Sequence, residues 1–342
     1  MKKKNIIAIP PFYAGTSFQD IVGGLFLAGG EMAFDIKIIG NITPLKNTIS
    51  GELLDDKNYI DGQLSLLKSL IQEGPVSKIL FLDFFNPGMD LLKYYHEQQG
   101  IVCKYGSLLH GGSFLDNDLY SFNWMKQFES GWFGLYDKIY APSQLLAKAV
   151  PDLFRGKISV YPWGLNGIDI DSDVSLKNID VVFPHRLNTD KGIEDFIDIV
   201  SRMNDLKFVV TSPQEETVIK HNKYYKELLR YKNVRFILGQ SEKEHIKTLT
   251  SAKIVLSCAK QENFGYGTMK AVLSGCIPVL PNRLCYPEFF EDMFLYSDLD
   301  EAIDKIGLFS ESPDEAKKLL VPSRKRISNF SFSSILEDFF KN

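Results

Sequence analysis

The chain has 342 residues, of which 44% are hydrophobic and 24% are charged. This composition is typical of a folded globular protein, and the length exceeds that at which a single core usually stops growing, so two domains are expected. The formal net charge of -4 does not indicate a general electrostatic attraction to nucleic acid, and a local basic patch is compatible with it.

The four cysteines show neither a Cys-x-x-Cys motif nor the spacing of a zinc site. Each lies in or near an apolar run, which predicts buried thiols in a reducing compartment: Cys103, Cys258, Cys276 and Cys285. The basic start "MKKK" precedes only a short apolar run, so no signal peptide is expected. No window approaches the roughly 18 apolar residues of a membrane span. We therefore expect a cytoplasmic protein without stable membrane insertion.

In chain order, apolar runs of strand length alternate with helical patterns. The first half contains a predicted helix at 17–29 and predicted strands at 5–9, 34–39, 78–84, 101–109, 137–141 and 157–161. A Gly-, Asn- and Asp-rich stretch at 162–178 is interpreted as an interdomain linker. The second half contains predicted strands at 179–184, 206–212, 234–238, 253–258 and 276–280. Its predicted helices lie at 191–203, 215–231, 242–252 and 266–274, and a last amphipathic helix at 330–340.

Apolar strands separated by helices indicate parallel sheets that are covered on both faces. The predicted fold is therefore α/β, with two Rossmann-like, doubly wound domains that face a cleft. The predicted domain bounds are 1–163 and 164–327. Ligands of such sheets bind outside the carboxyl ends of the strands, so the functional residues are sought directly after predicted strands.

Two cations lie in "HRLNTDKG", which follows the strand at 179–184. Arg186 and Lys191 share a short loop that opens a helix, and this combination favours a phosphate or diphosphate. The alternative is a solvated loop with ordinary surface charges.

A carboxylate and two glycines lie in "AKQENFGYGTMKAV", which follows the strand at 253–258. Gly265 and Gly267 permit close approach to the backbone, and the following helix directs its N–H groups to the same place. Glu262 can accept hydrogen bonds from hydroxyl groups. A nucleotide sugar needs amide donors and cations for its diphosphate and a carboxylate for its sugar. The alternative is a helix cap beside a surface glutamate.

Two further loops are weaker candidates. The first strand is followed by "FYAGTSFQ", where Gly15 permits either close approach of a ligand or only a tight turn. In "HGGSFLDND", His110 precedes two glycines and is predicted to contact a sugar hydroxyl or a leaving oxygen, with a structural role as the alternative. His185 is interpreted as structural.

These motifs, in this order, resemble the retaining glycosyltransferases of the GT-B fold, family 4, and most specifically their tRNA-queuosine mannosyltransferase-like branch. "FYAGTSFQ" resembles that branch's "FYGGSHKQ" loop, and "FPHRLNTDKGIEDF" resembles its "PHRWEHDK" motif. "ENFGYGTMKAVLSGCIPVLPNRLCYPE" resembles its "EFFG…LEAV…GC.P..P..L.YPE" stretch.

The resemblance implies a role for each matching residue. Arg186 and Lys191 would hold the donor diphosphate, Glu262 the transferred sugar, and His110 would lie beside the anomeric carbon. The remaining implied donor contacts are Gly15, Asn263, Phe264, Gly265, Tyr266 and Lys270. The donor would be a UDP- or GDP-sugar, with no further cofactor and no metal. The resemblance also implies that the C-terminal helix, 328–342, packs back on the first domain.

Lys270 departs from the family pattern. The family carries a second glutamate eight residues after the first, which usually holds the nucleotide ribose, and Lys270 occupies that position here. A cation cannot accept hydrogen bonds from a ribose diol. The nucleotide is therefore left open between UDP and GDP.

One convincing carboxylate, rather than two, favours same-face attack over a double displacement. The acceptor hydroxyl would then give its proton to the departing phosphate oxygen, and the cations would stabilise the leaving diphosphate. "DIDSD" at 169–173 lies in the predicted linker, so no metal site is predicted.

The resemblance favours a hydroxyl on a modified nucleobase as acceptor, either queuosine in tRNA or a hydroxymethylated base in phage DNA. Trp124 and Trp132 fit either stacking on a base or core packing. One alternative is an enzyme of cell-envelope polysaccharide or glycolipid synthesis, with the basic, aromatic segment 220–232 as a surface helix. Another is a non-catalytic nucleotide-sugar-binding protein, which Lys270 would favour. An oxidoreductase is disfavoured because no G-x-G-x-x-G follows the first strand.

Overall fold

The computed structural model describes residues 4–12, 17–31, 35–43, 57–115, 123–165, 177–212 and 214–341. These residues form two compact units, one from Met1–Gly164 together with Ser331–Asn342 and one from Leu165–Phe330. Each unit is a parallel sheet with helices between successive strands, which confirms the predicted α/β class with doubly wound, Rossmann-like halves.

The sheet of the first unit has the strand order β2-β1-β3-β4-β5-β6, and its pairings are parallel. Its strands are β1 (Lys4–Ile9), β2 (Ile36–Gly40), β3 (Val76–Phe81), β4 (Lys104–Leu108), β5 (Lys138–Ala141) and β6 (Ile158–Val160). Its helices are α1 (Ser17–Glu31), α2 (Lys57–Gln72), α3 (Met89–Gln98), α4 (Asn123–Leu135), α5 (Gln144–Ala149) and, from the C-terminus, α14 (Ser333–Lys341).

The last helix, α14, belongs to the first unit. Its apolar face is buried, and the Tyr140 hydroxyl donates to Asp338 at 2.8 Å. The ring of Phe339 covers Gly106 of β4, where a Cβ would lie only 2.6 Å from the ring. Gly106 therefore lets this helix approach the sheet closely.

The sheet of the second unit has the strand order β12-β11-β10-β7-β8-β9 and is also parallel. Its strands are β7 (Ile179–Phe183), β8 (Phe208–Ser212), β9 (Val234–Leu238), β10 (Ala252–Leu256), β11 (Ile277–Pro281) and β12 (Leu295–Tyr296). Its helices are α6 (Ile193–Arg202), α7 (Glu216–Ile219), α8 (Lys223–Leu228), α9 (Glu242–Thr250), α10 (Tyr266–Leu273), α11 (Tyr286–Phe289), α12 (Leu299–Glu311) and α13 (Pro313–Ser328).

The single helix predicted at 215–231 is wrong, because the chain forms α7 and α8 instead. The first ends at Ile219, and Asn222 caps the second, its side chain accepting from the amides of Tyr224 and Tyr225. Both tyrosines are buried, and their hydroxyls donate to Glu194 and to another carboxylate of the same unit. This segment therefore presents basic residues outward, while its two adjacent tyrosines pack inward.

The strand order of the second unit reverses between β7 and β10. From β7 the chain adds β8 and β9 on one side, and from β10 it adds β11 and β12 on the other. In an open α/β sheet this reversal opens a crevice outside the carboxyl ends of the two strands. Two segments leave the sheet there, residues 184–192, called here the β7 loop, and residues 257–265, called the β10 loop.

Candidate active site

The β7 and β10 loops are joined through their backbones. The amides of Lys260 and Gln261 donate to the carbonyl of Asp190 at 2.8 and 3.0 Å. Gly192 adopts a left-handed backbone, φ 66°, and a Cβ there would lie 1.9 Å from the carbonyl oxygen of Cys258. Only glycine meets both conditions, so Gly192 fixes how closely the two loops approach.

Charged side chains from both loops meet at this junction. The Lys191 Nζ lies 3.2 Å from Glu262 Oε2, and it also donates to the Gln261 carbonyl at 2.9 Å. Asp190 Oδ2 lies 3.7 Å from Lys191 and 3.5 Å from the guanidinium of Arg186. The four side chains thus alternate in sign, two cations against two carboxylates.

The exposures of these groups differ in a way that suits a ligand site. Lys191 and Glu262 are mostly buried, with 14% and 17% of their side chains exposed, whereas 46% of Arg186 is exposed. Burial alone would raise the pKa of Glu262, but attraction to Lys191 and the hydrogen bond from it lower that pKa below its ordinary value. Glu262 is therefore an ionised acceptor at neutral pH.

His185 lies in the same junction. Its ring packs edge-on against Phe183 at 4.9 Å, and burial lowers its pKa to about 4, against the attraction of Glu262. Among the described residues no group hydrogen-bonds to its Nε2. The ring is neutral at pH 7 and contributes no charge to the site.

The first turn of α10 completes the junction. Gly265 precedes it with a left-handed backbone, φ 81°, and its amide donates to Glu262 Oε1 at 3.1 Å. A Cβ on Gly267 would lie 3.0 Å from the carbonyl of Pro184 in the β7 loop. The helix therefore begins directly against the charged cluster, where its partial positive charge favours an anion.

The other predicted donor residues around α10 differ in exposure. Asn263 is partly exposed between Glu262 and the helix. Phe264 is 3% exposed and packs against Phe289 and Phe330, and Tyr266 is 8% exposed against the Phe264 ring. The two aromatic side chains thus support the loop from inside the unit.

Lys270 is 4% exposed, and its Nζ contacts Glu242 at the start of α9, 2.5 Å from Oε1. The cation at the position where the family has a second glutamate is thus paired with a carboxylate from the neighbouring helix.

The remaining predicted site residues belong to the first unit. The His110 Nε2 lies 2.7 Å from the Leu82 carbonyl, and its ring packs against Phe18 and Trp163 at 5.1 and 4.6 Å. Gly15 lies outside the described residues, and so does the "DIDSD" segment. Across the described ranges no group of three or more His, Cys, Asp or Glu side chains has the arrangement of a metal site.

Asp190 and Gly192 are site residues that sequence reasoning missed. Asp190 stands beside Lys191 in the chain, but no motif marks it as a partner of the two cations. Gly192 falls inside the helix predicted at 191–203, whereas α6 begins one residue later, so the glycine precedes the helix with a left-handed backbone.

Comparison with known proteins gives a family match within the second unit. Residues 169–320 match the family model described as glycosyl transferases group 1. The matched stretch is similar to glycosyl transferases of group 1 and makes up less than half of the chain. A 151-residue stretch is also 30% identical to the tRNA-queuosine alpha-mannosyltransferase of Drosophila melanogaster. It covers 43% of this chain and 40% of that protein, so the match spans less than half of the relative.

Solved structures share the fold over nearly the whole chain. HepE from Anabaena in complex with UDP-glucose has a TM-score of 0.70 at 15% identity, covering 99% of both chains. The sucrose-phosphate synthase of Thermosynechococcus elongatus has a TM-score of 0.71 at 12% identity, covering 99% of this chain and 98% of that one. The resemblance to GT-B glycosyltransferases of family 4 is thereby confirmed.

Among the described helices, none is both long and apolar enough to cross a membrane.

Proposed function

We propose that this protein is a retaining glycosyltransferase that moves a sugar from a UDP- or GDP-sugar to a hydroxyl acceptor. The observation that carries the proposal is the Lys191–Glu262 pair at the start of α10. The pair brings together, at the switch point of the sheet, a cation suited to a diphosphate and a carboxylate suited to sugar hydroxyls, which supports the proposal. The family match and the UDP-glucose complex of the structural neighbour support the same ligand class.

In the proposed reaction, the acceptor oxygen attacks the anomeric carbon from the face that the diphosphate leaves. The bond from the anomeric carbon to the phosphate oxygen breaks, and the acceptor proton passes to that oxygen. Lys191, Arg186 and the α10 N-terminus stabilise the charge that develops on the diphosphate. Glu262 stays ionised and accepts hydrogen bonds from the sugar, and His110 keeps its predicted role as a sugar contact.

The proposed acceptor is a hydroxyl on a modified nucleobase. The relative from Drosophila is named for action on tRNA-queuosine, which supports this class. Trp124 and Phe128 on α4 are 51% and 57% exposed with ring centroids 5.6 Å apart, whereas Trp132 is 6% exposed. Trp124 is therefore the better candidate for stacking on a base. The inward tyrosines of α8 disfavour the envelope alternative, because a membrane-surface helix needs an outward apolar face.

The test is nucleotide release from UDP- and GDP-hexoses by the whole chain, followed by NMR of the anomeric configuration of the product. Arg186→Ala and Lys191→Ala are each expected to lower kcat by about 10²-fold, as with other preorganised charge contacts. Lys253→Ala is the matched control, because Lys253 pairs with Asp180 at 2.7 Å at the opposite, amino edge of the same sheet. Wild-type turnover in both loop variants would contradict the assignment of the phosphate site.

Mass spectrometry of nucleosides from cells with and without the protein tests the acceptor. A hexose or pentose increment on one nucleoside is expected. An increment on a glycolipid or polysaccharide instead supports the envelope alternative. Donor binding without turnover or hydrolysis, with every donor tried, supports the non-catalytic alternative.

A further inference from the structure

Lys270 and Glu242 form an unequal ion pair. Only 5% of the Lys270 side chain is exposed, against 55% of Glu242. A buried ammonium is costly unless a counter-charge lies against it. The half-exposed carboxylate therefore neutralises the lysine, and in return the lysine holds that carboxylate in one orientation at the surface.

The pair lies close to the proposed diphosphate site. Lys270 is the fifth residue of α10, so its Cα is only about 6 Å along the helix from the first, at 1.5 Å per residue. Side chains of a helix lean toward its N-terminus, which brings the ammonium nearer still to the first turn. Glu242 begins α9, which follows β9, and the parallel strands place that point at the same carboxyl edge of the sheet.

The backbone at Glu242 is fixed independently of its carboxylate. Ser241 and Glu244 form a reciprocal capping box, in which the Ser241 amide donates to Glu244 Oε2 at 2.9 Å. Glu244, rather than Glu242, therefore serves as the capping carboxylate of α9. Glu242 combines a fixed backbone, an oriented carboxylate and substantial exposure.

We propose that Glu242 accepts hydrogen bonds from the ribose hydroxyls of the donor nucleotide and that Lys270 is the positioning residue for it. A ribose diol offers two donors, and a carboxylate offers only acceptors. Nucleotide-binding sheets of this kind recognise the ribose through an acidic residue near the helix that binds the phosphates. This inference rests on the proposed function, because it needs the diphosphate at the start of α10.

A structural role alone makes a different prediction. If the pair only joined α9 to α10, its removal would lower the stability of the protein and would change the affinities for ribose and deoxyribose nucleotides equally. Discrimination between these sugars therefore separates the two roles.

The experiment is calorimetric titration of the whole chain with UDP, 2′-deoxy-UDP, GDP and 2′-deoxy-GDP. The wild type is expected to bind its preferred ribonucleotide about 10-fold or more tightly than the deoxy form, the usual size of a hydrogen bond to a charged group. Glu242→Gln is expected to reduce that ratio to about 3-fold or less while the deoxy form binds nearly as before. Lys270→Met is expected to reduce the ratio as well, because the carboxylate loses its fixed orientation.

Glu244→Gln is the matched control, since it makes the same chemical change two residues away and weakens only the cap. It is expected to lower the melting temperature without changing the ratio. A wild-type ratio near one, with the nucleotides bound, overturns the role of Glu242 and leaves the proposed function standing. Absence of binding by all four nucleotides overturns the proposed function and this inference with it.

Discussion

Replacing Lys191 and Glu262, singly and together, is the most direct test of the ion pair at the candidate site. At 3.2 Å and an effective dielectric constant near 20, the attraction between the two charges is about 5 kcal/mol. Desolvation of two largely buried groups cancels part of it, so we expect a coupling free energy of about 1–3 kcal/mol in a double-mutant cycle. The cycle uses Lys191→Met, Glu262→Gln and the double variant.

Urea unfolding followed by far-UV circular dichroism measures the cycle. The three tryptophans, Trp124, Trp132 and Trp163, all lie in the first unit, so a dichroism change without a fluorescence change reports the second unit. A coupling free energy below about 0.5 kcal/mol, the usual error of additivity, would contradict the reasoning.

The same variants also test how the stability depends on pH. In the wild type the pKa of Glu262 is lowered, so its contribution to stability is complete above the unfolded value and is lost as the pH falls through the folded one. In Lys191→Met, the attraction and the hydrogen bond from the lysine are lost, so the pKa of Glu262 should rise. The variant should then gain stability, relative to the wild type, as the pH falls toward 4.5. An unchanged slope would contradict the stated cause of the shift.

Two further predictions concern Gly192 and His185. Gly192→Ala should lower the free energy of unfolding of the second unit by about 2 kcal/mol or more and weaken donor binding, because of backbone strain and the contact with Cys258. Gly307→Ala is the control: Gly307 lies in open space on α12, so this change should raise the free energy of unfolding by about 0.5–1 kcal/mol. His185 has a folded pKa near 4, so its contribution to stability is lost as the pH falls from about 6.5 toward 4. His185→Gln should therefore reduce the change in the urea midpoint over this pH range. Equal effects of the two alanines, or equal slopes for wild type and His185→Gln, would refute these accounts.

The strands were predictable because a parallel sheet buries both faces, which leaves unbroken apolar runs in the sequence. β12 was missed because two residues, Leu295 and Tyr296, are too short to show any period. The break between α7 and α8 was missed because "KHNKYYKELLRYK" keeps a helical pattern across Asn222. The Asn222 side chain caps the start of a new helix there, and this local hydrogen bonding competes with the pattern.

The positions of the candidate site residues after strands were predictable, but the side chains that they contact were not. Arg186, Lys191 and Glu262 follow from the rule that ligands bind at carboxyl ends. That Lys191 meets Glu262, and Lys270 meets Glu242, depends on contacts between segments 71 and 28 residues apart in the chain. Periodicity carries no information about such contacts.

The pairing changes how a diphosphate would be attracted. With Arg186 and Lys191 set against Asp190 and Glu262, the cluster has little net charge, so general attraction of an anion is weak and the α10 N-terminus supplies the unbalanced positive field.

Under the proposed function, a diphosphate that approaches Lys191 competes with Glu262 for the ammonium. As Lys191 turns toward the phosphate, Glu262 loses the hydrogen bond from the lysine and can accept a hydrogen bond from a sugar hydroxyl instead. The two halves of a nucleotide sugar would therefore bind cooperatively through one ion pair, and a nucleoside diphosphate without the sugar should leave Glu262 with an unmet acceptor. Adding the free sugar to the nucleoside diphosphate should then increase the affinity for both, and in Lys191→Met this coupling should disappear.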